Sequence, residues 1–268
     1  MSKNILITGS TDGIGKLAAI QLAKDQHQVF IHGRNAEKVA RVTAEIQSTT
    51  GNTNIKGYVA DFSDLAAVKQ MAEEVSSELS HLDILINNAG VFKSAQAKAM
   101  GGHDIRFVVN YYAPIVFTEA LRPLLQNSAA PRIINLSSAA QSPVSLAALK
   151  GHTELSARDA YAQSKLALTM WSFHLAQEMK NAAVIPVNPG SLLNTNMVRE
   201  AFGQHWSSAD KGAQILYDLA VGAAHQQVTG KYFDNDSGAY GPAHADAYKP
   251  QIIDDLLATT KEVLASLL

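Results

Sequence analysis

Tyr161 and Lys165 stand four residues apart in a stretch of helical pattern, so their side chains share one face. A phenol titrates near ~10 in water, too high to trade protons readily at neutral pH. An ammonium beside it favours the phenolate, which makes Tyr161 a candidate acid in a reduction and base in an oxidation. Alone, such a pair says little, because most are accidents of a solvated helix face. A second candidate is the turn Thr8-Gly9-Ser10-Thr11-Asp12-Gly13-Ile14-Gly15. Its glycines permit tight turning and close backbone approach, so that a helix N-terminus can meet a pyrophosphate. The spacing is G-x-x-x-G-x-G rather than G-x-G-x-x-G, and context has to decide, since glycine-rich turns are common punctuation. A third is His32-Gly33-Arg34-Asn35, after the next predicted strand. An acidic residue there would bind a ribose 2′-hydroxyl and favour NAD. None is present, and Arg34 offers a guanidinium that can clamp a 2′-phosphate, which favours NADP. The bland alternative is a solvated arginine in a turn.

The pattern around these residues supplies the context. Strands are expected at Lys3–Thr8, Gln28–His32, Ile55–Ala60, Leu82–Ile86, Arg132–Leu136 and Ala183–Val187. Helical spacing fills Ile14–Ala23, Ala36–Gln47, Leu65–Leu79, a long stretch to about Gln126, and Ala160–Met179. Strands alternating with helices mean βαβ units and a parallel sheet, and runs such as Ile84-Leu85-Ile86 suit a sheet covered on both faces. No Pro/Ser-rich linker divides the chain. The expectation is a single doubly wound α/β domain of the Rossmann type, spanning residues 1–268, with helices on both faces. Substrate loops are expected at about 139–159, 192–207 and 234–249, beside the strand C-terminal ends.

Composition narrows the function classes. The 268 residues carry 22 Lys+Arg against 24 Asp+Glu, and 47% are hydrophobic, enough for a sizeable core. This balance gives no electrostatic case for nucleic acid or an anionic membrane. With no cysteine there is no disulfide framework, thiolate nucleophile or Cys-ligated zinc. The closest histidines, His27 and His32, are five apart, off the spacing of a zinc helix. Asp234-Asn235-Asp236 is not a calcium loop, because Ala239 and Ala245 stand where Gly and Glu are needed; it reads as a solvated turn. Only three apolar residues follow Asn4 before Thr8, too few for a signal peptide, and no apolar run could span a bilayer. A cytoplasmic protein without membrane partners is expected.

Taken in order, Thr8–Gly15, Asn87-Asn88-Ala89-Gly90, Asn110, Asn135-Leu136-Ser137-Ser138, Tyr161 with Lys165, and Asn188-Pro189-Gly190 resemble the short-chain dehydrogenase/reductase family. The likeness runs from residue 3 to about 235 and fits the shorter, single-domain branch rather than the longer sugar-nucleotide epimerases. It implies a carbonyl–alcohol oxidoreductase with NADP(H) or NAD(H) laid over the strand ends. By this resemblance Gly9, Ser10, Thr11, Asp12, Gly13, Ile14 and Gly15 carry the pyrophosphate, with Ile14 donating a backbone N–H. Arg34, with Asn35 beside it, meets the 2′-phosphate. Asp61 and Phe62 bracket the adenine, and Asn88, Ala89 and Gly90 line the cofactor ribose while supporting the sheet. Pro189, Gly190, Leu192 and Thr195 belong to the loop that meets the nicotinamide carboxamide.

The same resemblance gives the catalytic roles. Ser138, rather than the adjacent Ser137, would hold the substrate carbonyl, because the family usually uses the second serine of a pair. Tyr161 would transfer the proton, and Lys165 would lower its pKa and bind the nicotinamide ribose. Asn110 would anchor a water of the proton relay; the alternative is an asparagine at a helix kink in the core. Two departures stand out. Thr195 is one residue further from Pro189-Gly190 than usual, and Ser138 lies 23 residues before Tyr161, a longer separation than the family's commonest. The extra segment, about Pro143–Arg158, is expected to cap the substrate pocket, with a solvent loop or oligomer contact as alternatives. Gly230-Lys231-Tyr232-Phe233 resembles the final strand of retinol-dehydrogenase-like members. Trp171 and Phe173 read as core or helix-interface residues, and Trp206 as a possible substrate contact. Relatives commonly pair through helices that here span roughly 103–126 and 160–179, so a homodimer or homotetramer is expected. The competing class is a non-catalytic NADP-binding sensor or scaffold, which loss of Tyr161 or Lys165 would have favoured.

Overall fold

Each strand of the sheet is apolar along its length because successive residues enter different cores. In β1 (Asn4–Ile7) Leu6 packs on one side, Ile5 and Ile7 on the other. The same alternation holds for Leu85 against Ile84 and Ile86 in β4 (Ile84–Asn87), and for Val184 against Ile185 and Val187 in β6 (Ala183–Asn188). The computed structural model, which describes residues 2–196, 199 and 207–268, adds β2 (Gln28–Gly33), β3 (Ile55–Val59), β5 (Arg132–Leu136), β7 (Tyr232–Asp234) and β8 (Ala239–Gly241). The order is β3-β2-β1-β4-β5-β6-β7-β8, parallel throughout except for the β7–β8 hairpin. β1 lies between β2 and β4, so the strand order reverses there and opens a crevice at the C-terminal strand ends.

Helices cover both faces. On one side lie α1 (Gly13–Lys24), α2 (Ala36–Thr50) and α9 (Ala209–Val221), which share a core with Ile5, Ile7 and Ile86. On the other lie α3 (Leu65–Glu78), a continuous run of α4 (Ile105–Phe107), a π-helical turn over Val108–Tyr112, α5 (Ala113–Ala120) and α6 (Arg122–Gln126), and then α8 (Ala157–Glu178). The first turns are capped by side chains: Asp12 accepts from the Gly13 N–H, Asn35 from Lys38, Asp64 from Ala66 and Ala67, and Ser156 from Asp159. Among the described residues no helix is long and apolar enough to cross a membrane.

The extra segment before Tyr161 takes a place different from the one expected. It folds into α7 (Leu146–Leu149), and none of residues 139–159 lines the main cavity. Leu149 is buried, and its carbonyl accepts from the Tyr112 hydroxyl (2.8 Å) and from His103 Nδ1 (3.1 Å). Lys150 pairs with Glu262 of α10 (Pro250–Leu267) at 2.7 Å. These contacts turn the segment toward α10 and away from the crevice. The stretch 234–249 likewise lines no part of the cavity; it forms the β7–β8 hairpin and a 3₁₀ turn at Ala245–Tyr248.

Candidate active site

The glycine-rich turn leaves β1 so closely packed that only glycine fits. A Cβ on Gly9 would sit 2.7 Å from the Ala89 Cα, and one on Gly15 2.4 Å from Asn88 Nδ2. Gly9 and Gly13 also have φ of 63° and 55°, the left-handed region glycine tolerates. Asn88 fastens the turn to β4 by donating from Nδ2 to the carbonyls of Thr8 and Gly9, both at 2.8 Å. His32 fastens it to β2 and β3. Its Nδ1 accepts the Gly9 N–H at 3.0 Å, so the proton sits on Nε2, which donates to the Ala60 carbonyl at 3.0 Å. The ring also lies 4.3 Å from that of Phe62. Burial pushes the His32 pKa down to about 4, so the imidazole is neutral at ordinary pH. Asp12 caps α1 and meets Lys38 at 2.9 Å, while Asn196 reaches across the crevice to it at 2.6 Å. Burial works against the Asp12 charge, but these donors outweigh it and hold the carboxyl below its usual range.

Farther along the crevice α8 presents Tyr161 and Lys165 one turn apart. Lys165 is 4% exposed; its Nζ donates to the Leu136 carbonyl at 2.7 Å and lies 5.5 Å from the centre of the Tyr161 ring. With no carboxylate beside it, burial brings its pKa down to about 7. Burial pushes the Tyr161 pKa up, and a hydrogen bond with the Ser138 side chain opposes that rise. Both serines line the cavity, but the Ser137 hydroxyl is engaged inward, with Thr169 Oγ1 at 2.6 Å and the Lys165 carbonyl at 3.2 Å, whereas the Ser138 hydroxyl accepts the Ala140 N–H at 3.1 Å. Phe92 packs edge-on against Tyr161, ring centres 4.9 Å apart.

These pieces line one cavity of about 860 Å³. Of the expected residues, Gly9, Thr11, Asp12, Gly13, Ile14, Gly15, Arg34, Asp61 and Phe62 line its first half, with Asn88, Ala89, Gly90, Ser138, Tyr161, Lys165, Pro189, Gly190 and Thr195 completing it. Four do not. The Ser10 hydroxyl is spent on the Ile7 carbonyl and the His32 N–H. The Asn35 side chain caps α2. Leu192 takes a left-handed turn (φ 48°), and it is the next residue, Leu193, that lines the cavity. Asn110 lies just outside, in the π-helical turn, where it accepts the Val91 N–H (2.8 Å) and donates to the Val91 carbonyl and Ser164 Oγ, both at 3.0 Å. Asn110 is thus a core asparagine at a helix irregularity, and its side chain also holds the segment after Gly90. Trp206 and much of the 192–207 stretch lie outside the described residues.

Sequence reasoning missed His32, Phe92 and Arg106. Arg106, 6% exposed, donates from Nε to the Phe92 carbonyl (2.8 Å) and from Nη1 to Asp104 (2.9 Å), and so sets where Phe92 stands. The Asp234–Asp236 turn is also more than a solvated bend, because its side chains hold the segment after β6. Among the described residues no group of three or more His, Asp or Glu could hold a metal ion.

A crevice of this length, floored by backbone N–H groups at a helix start and closed by a tyrosine and a lysine, suits a dinucleotide with proton transfer beside it. That is the design of a dinucleotide-dependent oxidoreductase. The comparisons narrow it further: the chain belongs to the short chain dehydrogenase family, whose model matches residues 3–206. It is therefore an oxidoreductase of a family that works with a nicotinamide cofactor. It is 31% identical to human retinol dehydrogenase 11 over 256 residues, covering 91% of this chain and 80% of that one. It is 29% identical to human polyprenol dehydrogenase, covering 86% of this chain and 76% of that one. Among solved structures, an Escherichia coli CFT073 protein described as a short chain dehydrogenase and complexed with NADPH superposes with a TM-score of 0.72 at 28% identity. That match covers 87% of this chain and 96% of the other.

Proposed function

We propose that the chain interconverts an apolar aldehyde or ketone and the corresponding alcohol with NADP(H), Tyr161 acting as acid and base. The observation that carries this is the placing of Ser138, Tyr161 and the buried Lys165 on one cavity with the glycine-rich turn, Lys165 Nζ lying 5.5 Å from the centre of the Tyr161 ring. The residues fit the cofactor: the close packing at Gly9 and Gly15 leaves bare backbone for a pyrophosphate, and Arg34 at the rim offers a guanidinium to a 2′-phosphate. The nicotinamide, when bound, supplies or takes up the hydride. The rest falls to this chain. Ser138 and Tyr161 hold the substrate oxygen between two hydroxyls, and Tyr161 gives it a proton in reduction or removes one in oxidation. Lys165, when charged, favours the phenolate that this leaves. Asn110 fixes Val91 and, through Ser164, the backbone of Tyr161. Val91, Phe92, Ile105, Val109 and Leu193 give the cavity apolar walls. This matches relatives named for retinol and polyprenol, both allylic primary alcohols.

The test is NADPH oxidation over a panel of aldehydes, ketones and quinones that includes retinal, with Tyr161→Phe as the matched control. Turnover by the wild type alone supports the reading. Tight NADPH binding with no turnover on any substrate would favour a sensor or scaffold. Arg34→Ala is expected to weaken NADPH by about tenfold and NADH hardly at all; equal losses would remove Arg34 from the 2′-phosphate.

A further inference from the structure

The segment Asn188-Pro189-Gly190-Ser191, which ends β6 and lines the cavity with its first three residues, is gripped from outside by the turn that follows β7. Asn188 Nδ2 donates to Asp234 Oδ1 (2.8 Å) and Asp236 Oδ2 (2.9 Å). The Ser191 N–H donates to Asp236 Oδ1 at 2.8 Å, and the Ser191 hydroxyl donates to Asp236 Oδ2. Asn235 donates from its backbone N–H to the Asn188 carbonyl (3.0 Å) and from Nδ2 to the carbonyls of Pro189 (2.8 Å) and Lys211 (3.2 Å). Inside the segment the Gly190 N–H returns to Asn188 Oδ1 at 3.2 Å. Three of these four residues are thus tied to a hairpin more than forty positions away, and so is α9 through Lys211. Burial acts to raise the Asp236 carboxyl, but the donors from Ser191 and Asn188 outweigh it and hold the pKa below its usual range. Asp236 spends both carboxylate oxygens, and Asp234 its Oδ1, on neighbouring donors of this chain.

Such a grip matters at this place because the segment has little stiffness of its own. Gly190 sits at φ 124°, outside the range of ordinary residues, and Leu192 at φ 48°. Without an outside hold, a glycine in this region is free to move among several backbone wells. We propose that Asp236 and Asn235 are positioning residues for the nicotinamide end of the cofactor, acting through Asn188, Pro189 and Ser191. The proposal rests on the reading above that the 188–190 segment meets the nicotinamide. It adds that the β7–β8 turn sets the segment's position while touching neither cofactor nor substrate.

The test compares two ligands on the full chain: NADPH, and adenosine 2′,5′-bisphosphate, which lacks the nicotinamide half. Asp236→Ala removes the double acceptor, and Asp236→Asn, the milder change, keeps one acceptor oxygen at nearly the same shape. The expected result is about tenfold weaker NADPH binding for Asp236→Ala, with adenosine bisphosphate changed by less than about twofold. Asp236→Asn falls between. Emission of bound NADPH, which reports how firmly the nicotinamide is held, falls in the same order. A merely structural role would weaken both ligands together and lower the melting temperature, and that outcome overturns the proposal. Unchanged NADPH affinity and emission in both variants also overturns it, while leaving the wild-type cofactor reading intact. A wild type that binds the bisphosphate no less tightly than NADPH overturns the nicotinamide reading itself, and the proposal with it.

Discussion

At the scale of single residues, Tyr161 and His32 each tie a different property of the chain to pH. Tyr161 is held protonated by burial, so in the ligand-free chain the acid needed for reduction is ready at neutral pH. Oxidation needs the phenolate, and its rate is expected to keep climbing with pH through the neutral range into the alkaline. A plateau in oxidative kcat/KM below pH 7 would contradict the burial seen at Tyr161. His32 acts on stability instead. Its pKa of about 4 lies below the ordinary value of 6.5, so the unfolded chain binds more protons between those limits. The contribution is complete above about pH 6.5 and is lost as pH falls toward 4, roughly 3 kcal/mol in all. His27 and His225 shift the same way, so the difference between wild type and His32→Asn isolates the effect. The variant is expected to lose less stability on going from pH 7 to 4, checked by chemical unfolding at each pH; parallel losses would mean that His32 is protonated in the fold. Neither role is legible in sequence. The partners of His32 are Gly9 and Ala60, just past the ends of β1 and β3, and no local spacing reveals them.

At the scale of elements, the parts that sequence makes legible are those whose periodicity survives packing. The six parallel strands expected appear within a residue or two, because alternate apolar side chains feed two cores at once. α8 begins at Ala157 rather than Ala160, since Ser156 provides a cap that apolar spacing does not register. The three-residue strands β7 and β8 are too short to show a period, and the π-helical turn at Val108–Tyr112 shifts backbone bonding without disturbing the apolar pattern. The site motifs were legible because chemistry fixes their residue types. What holds the motifs was not, as with Asp234–Asp236, whose partners are distant along the chain. Arg106 is the clearest support on a helix: it joins α4 to the β4 connection through Phe92, and so to the wall against Tyr161. Arg106→Ala strands Asp104 and the Phe92 carbonyl in partly buried surroundings. It is expected to cost roughly 2–4 kcal/mol in urea unfolding. A loss under about 0.5 kcal/mol would mark the pair as surface decoration.

At the scale of the whole molecule, the question is whether the chain pairs with a second copy through its long helices, as the family resemblance suggests. Here those helices already have partners within the chain. From Ala160 to Ala176 no residue of α8 is exposed, with only Tyr161, Ala162 and His174 partly so. Trp171 and Phe173 are 4% and 8% exposed, and the Phe173 ring meets that of Tyr248 at 5.4 Å. α10 packs against α8 and α7, burying Leu256 and Val263, while Ile115 and Val116 of α5 are enclosed within the same core. The lengthened segment before Tyr161 and the C-terminal helix pack on each other and on α8. A stable homodimer buries about 800 Å² on each partner, usually around an apolar centre. Among the described residues the large exposed hydrophobic side chains are Val59, Tyr248 and Leu268, at the end of β3, at the end of the 3₁₀ turn and just past α10. We therefore expect a monomer rather than the dimer or tetramer the family likeness suggests. Light scattering during size exclusion should give a mass near 28.7 kDa, unchanged across a hundredfold range of concentration. A stable mass of twice that value would mean that pairing uses another face. A chain shortened to end before Pro250 should uncover the faces of α7 and α8 on which α10 packs, leave Tyr111 without Thr260, and associate or precipitate, because that apolar surface would then face water.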